Sequence, residues 1–137
     1  MPAFEFPIRV YWEDTDAGGI VFYANYLKFF ERARTEWLRA LGIGQQALRE
    51  REGGLFVVSE SQVKYLHPAR LDDELIVTAQ LQEPGRAALV IVQQAFIDTP
   101  GAGRTLLCHG TIRIGWVDTT TLRPARIPPA LIEKLNS

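Results

Sequence analysis

Cysteine and histidine are scarce in this chain: Cys108 is the only cysteine, and His67 and His109 are the only histidines, among 137 residues. A single thiol excludes an intrachain disulfide, removes the usual thiolate zinc sites and suits a reducing cytosol. Lys/Arg-rich runs are missing, and the formal net charge is −1 with the signs interspersed. No long-range field therefore draws in a polyanion, and nucleic acid is not expected as a partner. Nor does any apolar run reach the roughly 20 residues that cross a bilayer, or any charged-then-apolar signal segment open the chain. The expectation is a cytoplasmic protein without a transmembrane segment. Repeats and low-complexity tracts are also absent. Hydrophobic residues at 47% and charged residues at 23% instead match a chain that buries a core. Its length fits a single domain, residues 1–137, and a deep active site in so small a unit should need a partner subunit.

The informative stretch is Asp16 to Arg34, DAGGIVFYANYLKFFERAR. An acidic side chain precedes Gly18-Gly19, where the backbone can adopt conformations and close approaches that a Cβ would block. An amphipathic helix follows, pointing its free N–H groups and positive dipole end at that turn. A carboxylate on one side and polarising amides on the other are the parts needed to attack a carbonyl carbon and hold the charge that develops on its oxygen. Tyr26, Phe30, Ala33, Trp37 and Leu41 recur at three- and four-residue spacing and form the helical stripe. Leu27, Phe29 and Leu38 widen it, so the helix should be largely buried, and Gly42 is its natural stop. Asn25 reads as a helix cap rather than the alternative, a substrate contact, and Glu31 and Arg34 can pair at i,i+3.

Around this helix the pattern is β. Phe4 to Glu13 reads as a first strand, placed at an edge by Pro7. After a short second helix from Gln45 to Arg51, four strands are expected: Leu55–Tyr65, Glu74–Gln82, Ala87–Asp98 and Thr105–Val117. The segment Glu83-Pro84-Gly85-Arg86 suggests a type II turn joining the middle two into a hairpin. Ala87–Asp98 has apolar residues on both faces, as in a central strand covered on both sides. Leu106, Cys108, Ile112, Ile114 and Trp116 should share one face of the last strand. A short helix from Ala130 to Leu135 closes the chain. One buried helix against a long antiparallel sheet is the simplest packing, an α+β class.

RVYWEDTDAGGIVFYANYLKFFERARTEWL from Arg9 to Leu38, PARLDDEL from Pro68 to Leu75 and the VSESQVKY strand together resemble the hotdog-fold thioesterases of the 4-hydroxybenzoyl-CoA thioesterase group. Within it, the chain is most similar to the Tol-Pal-associated acyl-CoA thioesterases. The resemblance implies one long central helix wrapped by a curved antiparallel sheet, with protomers pairing edge to edge into a homodimer that assembles to a homotetramer. It implies hydrolysis of acyl-CoA, and of acyl groups on acyl carrier protein, without a cofactor or metal. It puts the catalytic carboxylate at Asp16, with Asp14 as a flanking residue, and the carbonyl-polarising backbone N–H at Tyr23. Gly18 and Gly19 shape the turn beneath the thioester, and Ser59 and Ser61 line the pocket from the partner subunit, the equal alternative being ordinary solvent-facing strand serines. One departure is Tyr23 itself, since the Tol-Pal-associated members usually carry histidine there.

Other chemistries find little support. There is no G-x-S-x-G elbow, no H-E-x-x-H, and the Gly101-x-Gly103 fragment lies in a hairpin loop rather than a strand-to-helix turn. A hotdog dehydratase would add a histidine between Asp16 and Arg34, where there is none. The two histidines read as structural or solvated, Cys108 as core, and Tyr26 and Phe30 as core rather than ligand contacts. From a different class, the alternative is a non-catalytic acyl-CoA or acyl-carrier-protein binding module serving the Tol-Pal envelope system.

Overall fold

Pro7 has no amide hydrogen to give, and its strand β1, Phe4–Arg9, lies at one edge of a five-stranded sheet. In the computed structural model, which describes residues 3–136, the remaining strands are β2, Gly54–Tyr65; β3, Glu74–Pro84; β4, Ala88–Thr99; and β5, Gly103–Asp118. They run in the order β1-β3-β4-β5-β2, every neighbouring pair antiparallel. The long helix α1, Tyr26–Ala40, packs on one face, α2 spans Gln45–Glu52, and α3 spans Pro129–Leu135. This is the hotdog arrangement, a curved antiparallel sheet around one helix.

Helix α1 buries Tyr26, Phe29, Phe30, Ala33, Trp37 and Leu38. Phe29 and Phe30 are fully enclosed, and burial on that scale stabilises the fold by about 1.5–3 kcal/mol per side chain. The buried face is narrower than the sequence pattern suggests, because Leu27 remains 41% exposed. Gly42 stops the helix at φ +82. Its N–H donates to Arg39 O at 3.0 Å and the next one, of Ile43, to Leu38 O at 2.8 Å, the double closure that a left-handed residue makes possible.

Four local expectations need correction. The first strand ends at Arg9 rather than Glu13, because Trp12–Asp14 winds into a 3-10 turn closed by Tyr11 N–H donating to Asp14 Oδ2 at 2.8 Å. Gly85 lacks the positive φ of a type II turn; its glycine is needed because a Cβ would stand 2.5 Å from Ala88 O. Leu107, rather than Leu106, is buried, since a bulge opposite Ala95/Phe96 shifts the alternation of β5 there. Finally, β4 is central but fully covered on one face only: Leu89, Ile91, Gln93 and Ala95 are buried, whereas Val90, Val92 and Phe96 are half-buried.

Candidate active site

The turn before α1 closes on itself. Thr15 bridges Val21, Asp16 N–H donates to Ile20 O at 2.9 Å, and Gly19 N–H donates to Asp16 O at 3.0 Å. The two glycines fit the turn for different reasons. Gly19 sits at φ +78, in the left-handed region, whereas a Cβ on Gly18 would come 3.3 Å from Asp16 Oδ1. That oxygen accepts the Gly18 N–H at 2.8 Å, which holds one carboxylate oxygen against the backbone. Asp16, Ala17 and Gly18 are exposed.

The turn is docked onto the loop ahead of β3. Val21 N–H donates to Ala69 O at 2.9 Å, Leu71 N–H to Gly19 O at 3.2 Å, and Ile20 bridges Arg70. A 3-10 turn, Tyr23–Asn25, then leads into α1, with Asn25 N–H donating to Phe22 O at 2.8 Å. No backbone carbonyl of the described residues accepts the Tyr23 N–H. Helix starts leave such donors free, and the helix dipole adds positive charge at this end.

Tyr23 is 63% exposed, its ring 4.9 Å from that of Phe22 and edge-on to Tyr65 at 5.9 Å. With Tyr26, Tyr65, Leu66, His67 and Pro68 it walls a cavity of about 250 Å³ that Ile20 and Val21 complete. Tyr26 is therefore both core and wall: it is 3% exposed, and its hydroxyl accepts the Ala69 N–H at 3.3 Å. Burial pushes that hydroxyl up to about 12, against the opposing effect of the Ala69 hydrogen bond. Tyr65 is also raised, chiefly by burial. Both phenols stay protonated at neutral pH and give the cavity aromatic, uncharged walls.

Asp16, Gly18 and Gly19 thus share one turn, and Tyr23 opens the helix entrance four residues after Gly19. Ser59 and Ser61 do not join them in the single chain. They lie exposed on β2, the other edge strand, where Ser59 Oγ donates to Arg113 O at 3.3 Å beside a bulge. Asn25 is not a side-chain cap: its Nδ2 donates to Asp14 Oδ1 at 2.8 Å, and both residues are buried. Arg34 does not form an ion pair with Glu31 but donates to Gln93 Oε1 at 2.9 Å. Sequence reasoning missed Tyr65, Leu66, His67 and Pro68 as cavity walls. The available signal was an aromatic-apolar run ending in proline just past a strand, too apolar for an ordinary solvated loop.

Residues 10–135 match the model of the Thioesterase-like superfamily. The chain is 42% identical over 125 residues to the acyl-CoA thioesterase YbgC of Haemophilus influenzae, covering 91% of this chain and 88% of that protein. It is 40% identical over 133 residues to the acyl-CoA thioester hydrolase YbgC of Escherichia coli O6:H1, covering 97% and 96%. In fold it matches the crystal structure of a 4-hydroxybenzoyl-CoA thioesterase mutant complexed with 4-hydroxybenzoyl-CoA, with a TM-score of 0.91 at 20% identity over 97% of this chain and 98% of that one.

Proposed function

This chain belongs to the thioesterase-like superfamily and is an acyl-CoA thioester hydrolase, and we propose that Asp16 and the Tyr23 amide are the groups that carry out the hydrolysis. The observation that carries the proposal is their common position. The Asp16 carboxylate is held by the Gly18 N–H in the turn that leads directly to the helix start, where the Tyr23 N–H lacks a backbone acceptor. A thioester carbonyl oxygen placed at that amide gains a hydrogen bond that strengthens as negative charge develops on it, an effect worth about 3 kcal/mol for one good donor. Asp16 then either attacks the carbonyl carbon, giving a mixed anhydride that water opens, or deprotonates the water that attacks. In both routes the carbon–sulfur bond breaks and coenzyme A leaves as the thiol after taking up a proton. Gly18 and Gly19 let the substrate approach the main chain.

The aromatic cavity beside Tyr23, about 250 Å³, supports small aliphatic or aromatic acyl groups, on coenzyme A and also on acyl carrier protein. The site is completed by a second copy of the chain. Asp16 is open to solvent in one protomer, and the twelve-residue edge strand β2 carries exposed Val57 and Val58 beside unpaired backbone groups, a template for strand pairing. Pairing there would bring Ser59 and Ser61 toward the neighbouring protomer's pocket, and dimers would join into a tetramer.

The experiment is thiol release from propionyl-, butanoyl- and benzoyl-CoA and from the matching acyl-carrier-protein thioesters. Asp16→Asn should lower turnover at least about 100-fold, the scale of a lost base or nucleophile, with an unchanged melting temperature. Retention of most of the activity would overturn the assignment. A single turnover in ¹⁸O water that labels Asp16 rather than the released acid would identify the anhydride route, opened at the protein side.

A further inference from the structure

We propose that Asp14 is the positioning residue of this active site, the buried group that fixes the Asp16 turn against the start of α1; the inference rests on the roles given to Asp16 and Tyr23. A carboxylate and an amide that act on the same carbonyl must keep their separation, since a displacement of about 1 Å can lower the rate about 100-fold. The hydrogen bonds within the Asp16–Ile20 turn set its own shape but not its placement relative to the helix. The loop over 69–71 places it indirectly, through the Ala69 N–H on Tyr26, and Asp14 supplies the direct tie. It is 3% exposed, lies two residues before Asp16, and bonds on three sides. Oδ1 accepts Asn25 Nδ2–H at 2.8 Å, Oδ2 accepts Tyr11 N–H at 2.8 Å, and its backbone carbonyl accepts Phe22 N–H at 3.0 Å. Asn25 and Phe22 flank the Tyr23–Ala24 pair at the helix entrance. One side chain and its own carbonyl thus tie the 3-10 turn ahead of Asp16 to both sides of the proposed oxyanion donor.

The chemistry of the pair is specific. A buried carboxylate is unfavourable unless its oxygens are hydrogen-bonded, and here two donors meet two oxygens. An amide in place of the carboxylate keeps both bonds only if the Asn25 side chain turns its oxygen inward, whereas a second carboxylate at position 25 cannot be accommodated. Asn25→Asp alone breaks the match by opposing two carboxylates, whereas Asp14→Asn alone can be accommodated by turning the Asn25 amide so that its oxygen faces the new NH₂. The double exchange Asp14→Asn/Asn25→Asp restores it, because the amide at 14 donates to the carboxylate at 25 and keeps its oxygen for the Tyr11 N–H.

The test measures kcat, KM and melting temperature for both single variants, the double exchange and Asp16→Asn, all in full-length protein, with whichever of propionyl-, butanoyl- and benzoyl-CoA turns over fastest. Asn25→Asp is expected to lose about 10- to 100-fold in kcat while KM stays within about threefold, as for an interaction expressed in the transition state, and Asp14→Asn to lose less. The double exchange should recover most of the lost kcat. A purely structural role would lower the melting temperature and leave the kcat of the folded protein at the wild-type value, and that result overturns the proposal. So does a folded double exchange that recovers nothing. If a single variant is unfolded at the assay temperature, Asn25→Ala, which leaves Asp14 bonded to Tyr11, takes its place, and a wild-type kcat there is equally fatal. If Asp16→Asn keeps its turnover, the assignment of the catalytic carboxylate fails first. If Asp16→Asn is inactive but the Asp14 set has wild-type kcat, only the positioning role falls.

Discussion

Arg34 of α1 donates from a guanidinium nitrogen to Gln93 Oε1 of β4 at 2.9 Å, joining residues 59 positions apart. The other end of the Gln93 amide donates to Phe30 O at 2.9 Å and Thr78 O at 3.1 Å, and Gln93 is fully buried. One side chain therefore links the helix, at two places one turn apart, to two strands of the sheet. Burial also lowers the Arg34 pKa from its ordinary value, partly offset by Glu31.

Replacing Gln93 with leucine keeps the volume but leaves Arg34 without its acceptor. The expected loss is about 1–3 kcal/mol, the penalty of an unsatisfied buried polar group, read as a lower denaturant midpoint. An unchanged midpoint would show that water or a rotated Arg34 replaces the bond.

The Tyr23 amide can be removed without removing the helix. Phe22 is extended, at φ −62 and ψ 130, the conformation that a residue before proline prefers, and the first helical position tolerates proline. Tyr23→Pro should lose about 100-fold more kcat than Tyr23→Ala, the scale of one oxyanion donor. Equal kcat in the two variants would remove the amide from the mechanism.

Gly110 of β5 lies under the Phe30 ring, where a Cβ would approach Cε2 to 2.6 Å. Gly110→Ala should therefore destabilise by about 1–3 kcal/mol through overpacking, seen as a lower melting temperature. A neutral substitution would mean that α1 can lift from the sheet at that point.

Alkaline stability follows from two buried acids. Burial pushes the Cys108 thiol up from 9.0 to about 12 and the Tyr26 hydroxyl up from 10.0 to about 12. The unfolded chain releases these protons first, so stability is complete below about pH 9 and falls as pH rises toward 12. Cys108→Ala should make that decline shallower by up to one proton, measured as denaturant midpoint against pH. A decline of the same slope would show that the thiol ionises equally in both states.

Much of this architecture was legible in local pattern. Three- and four-residue spacing marked α1 and Gly42 its end, Pro7 pointed to an edge, and alternation located the strands to within a few residues. Gly18-Gly19 ahead of a helix start marked the turn proposed as the site, because both features act over a handful of neighbours. The walls of the cavity were not visible in the same way: Tyr65 ends β2 and Pro68 lies just past it, about 40 residues beyond Tyr23, and only folding sets them beside it.

By itself, the chain order of Glu13-Asp14-Thr15-Asp16 determined that acids would stand before a glycine turn and a helix. It did not determine which acid would be enclosed. Tertiary structure decided that Asp14 turns inward to Asn25 while Asp16 stays at the surface on the Gly18 amide. The physical reason is range. Backbone conformation and side-chain alternation are settled between neighbours, whereas burial and hydrogen-bond partnership depend on segments brought together from far along the chain, whose positions no local pattern encodes.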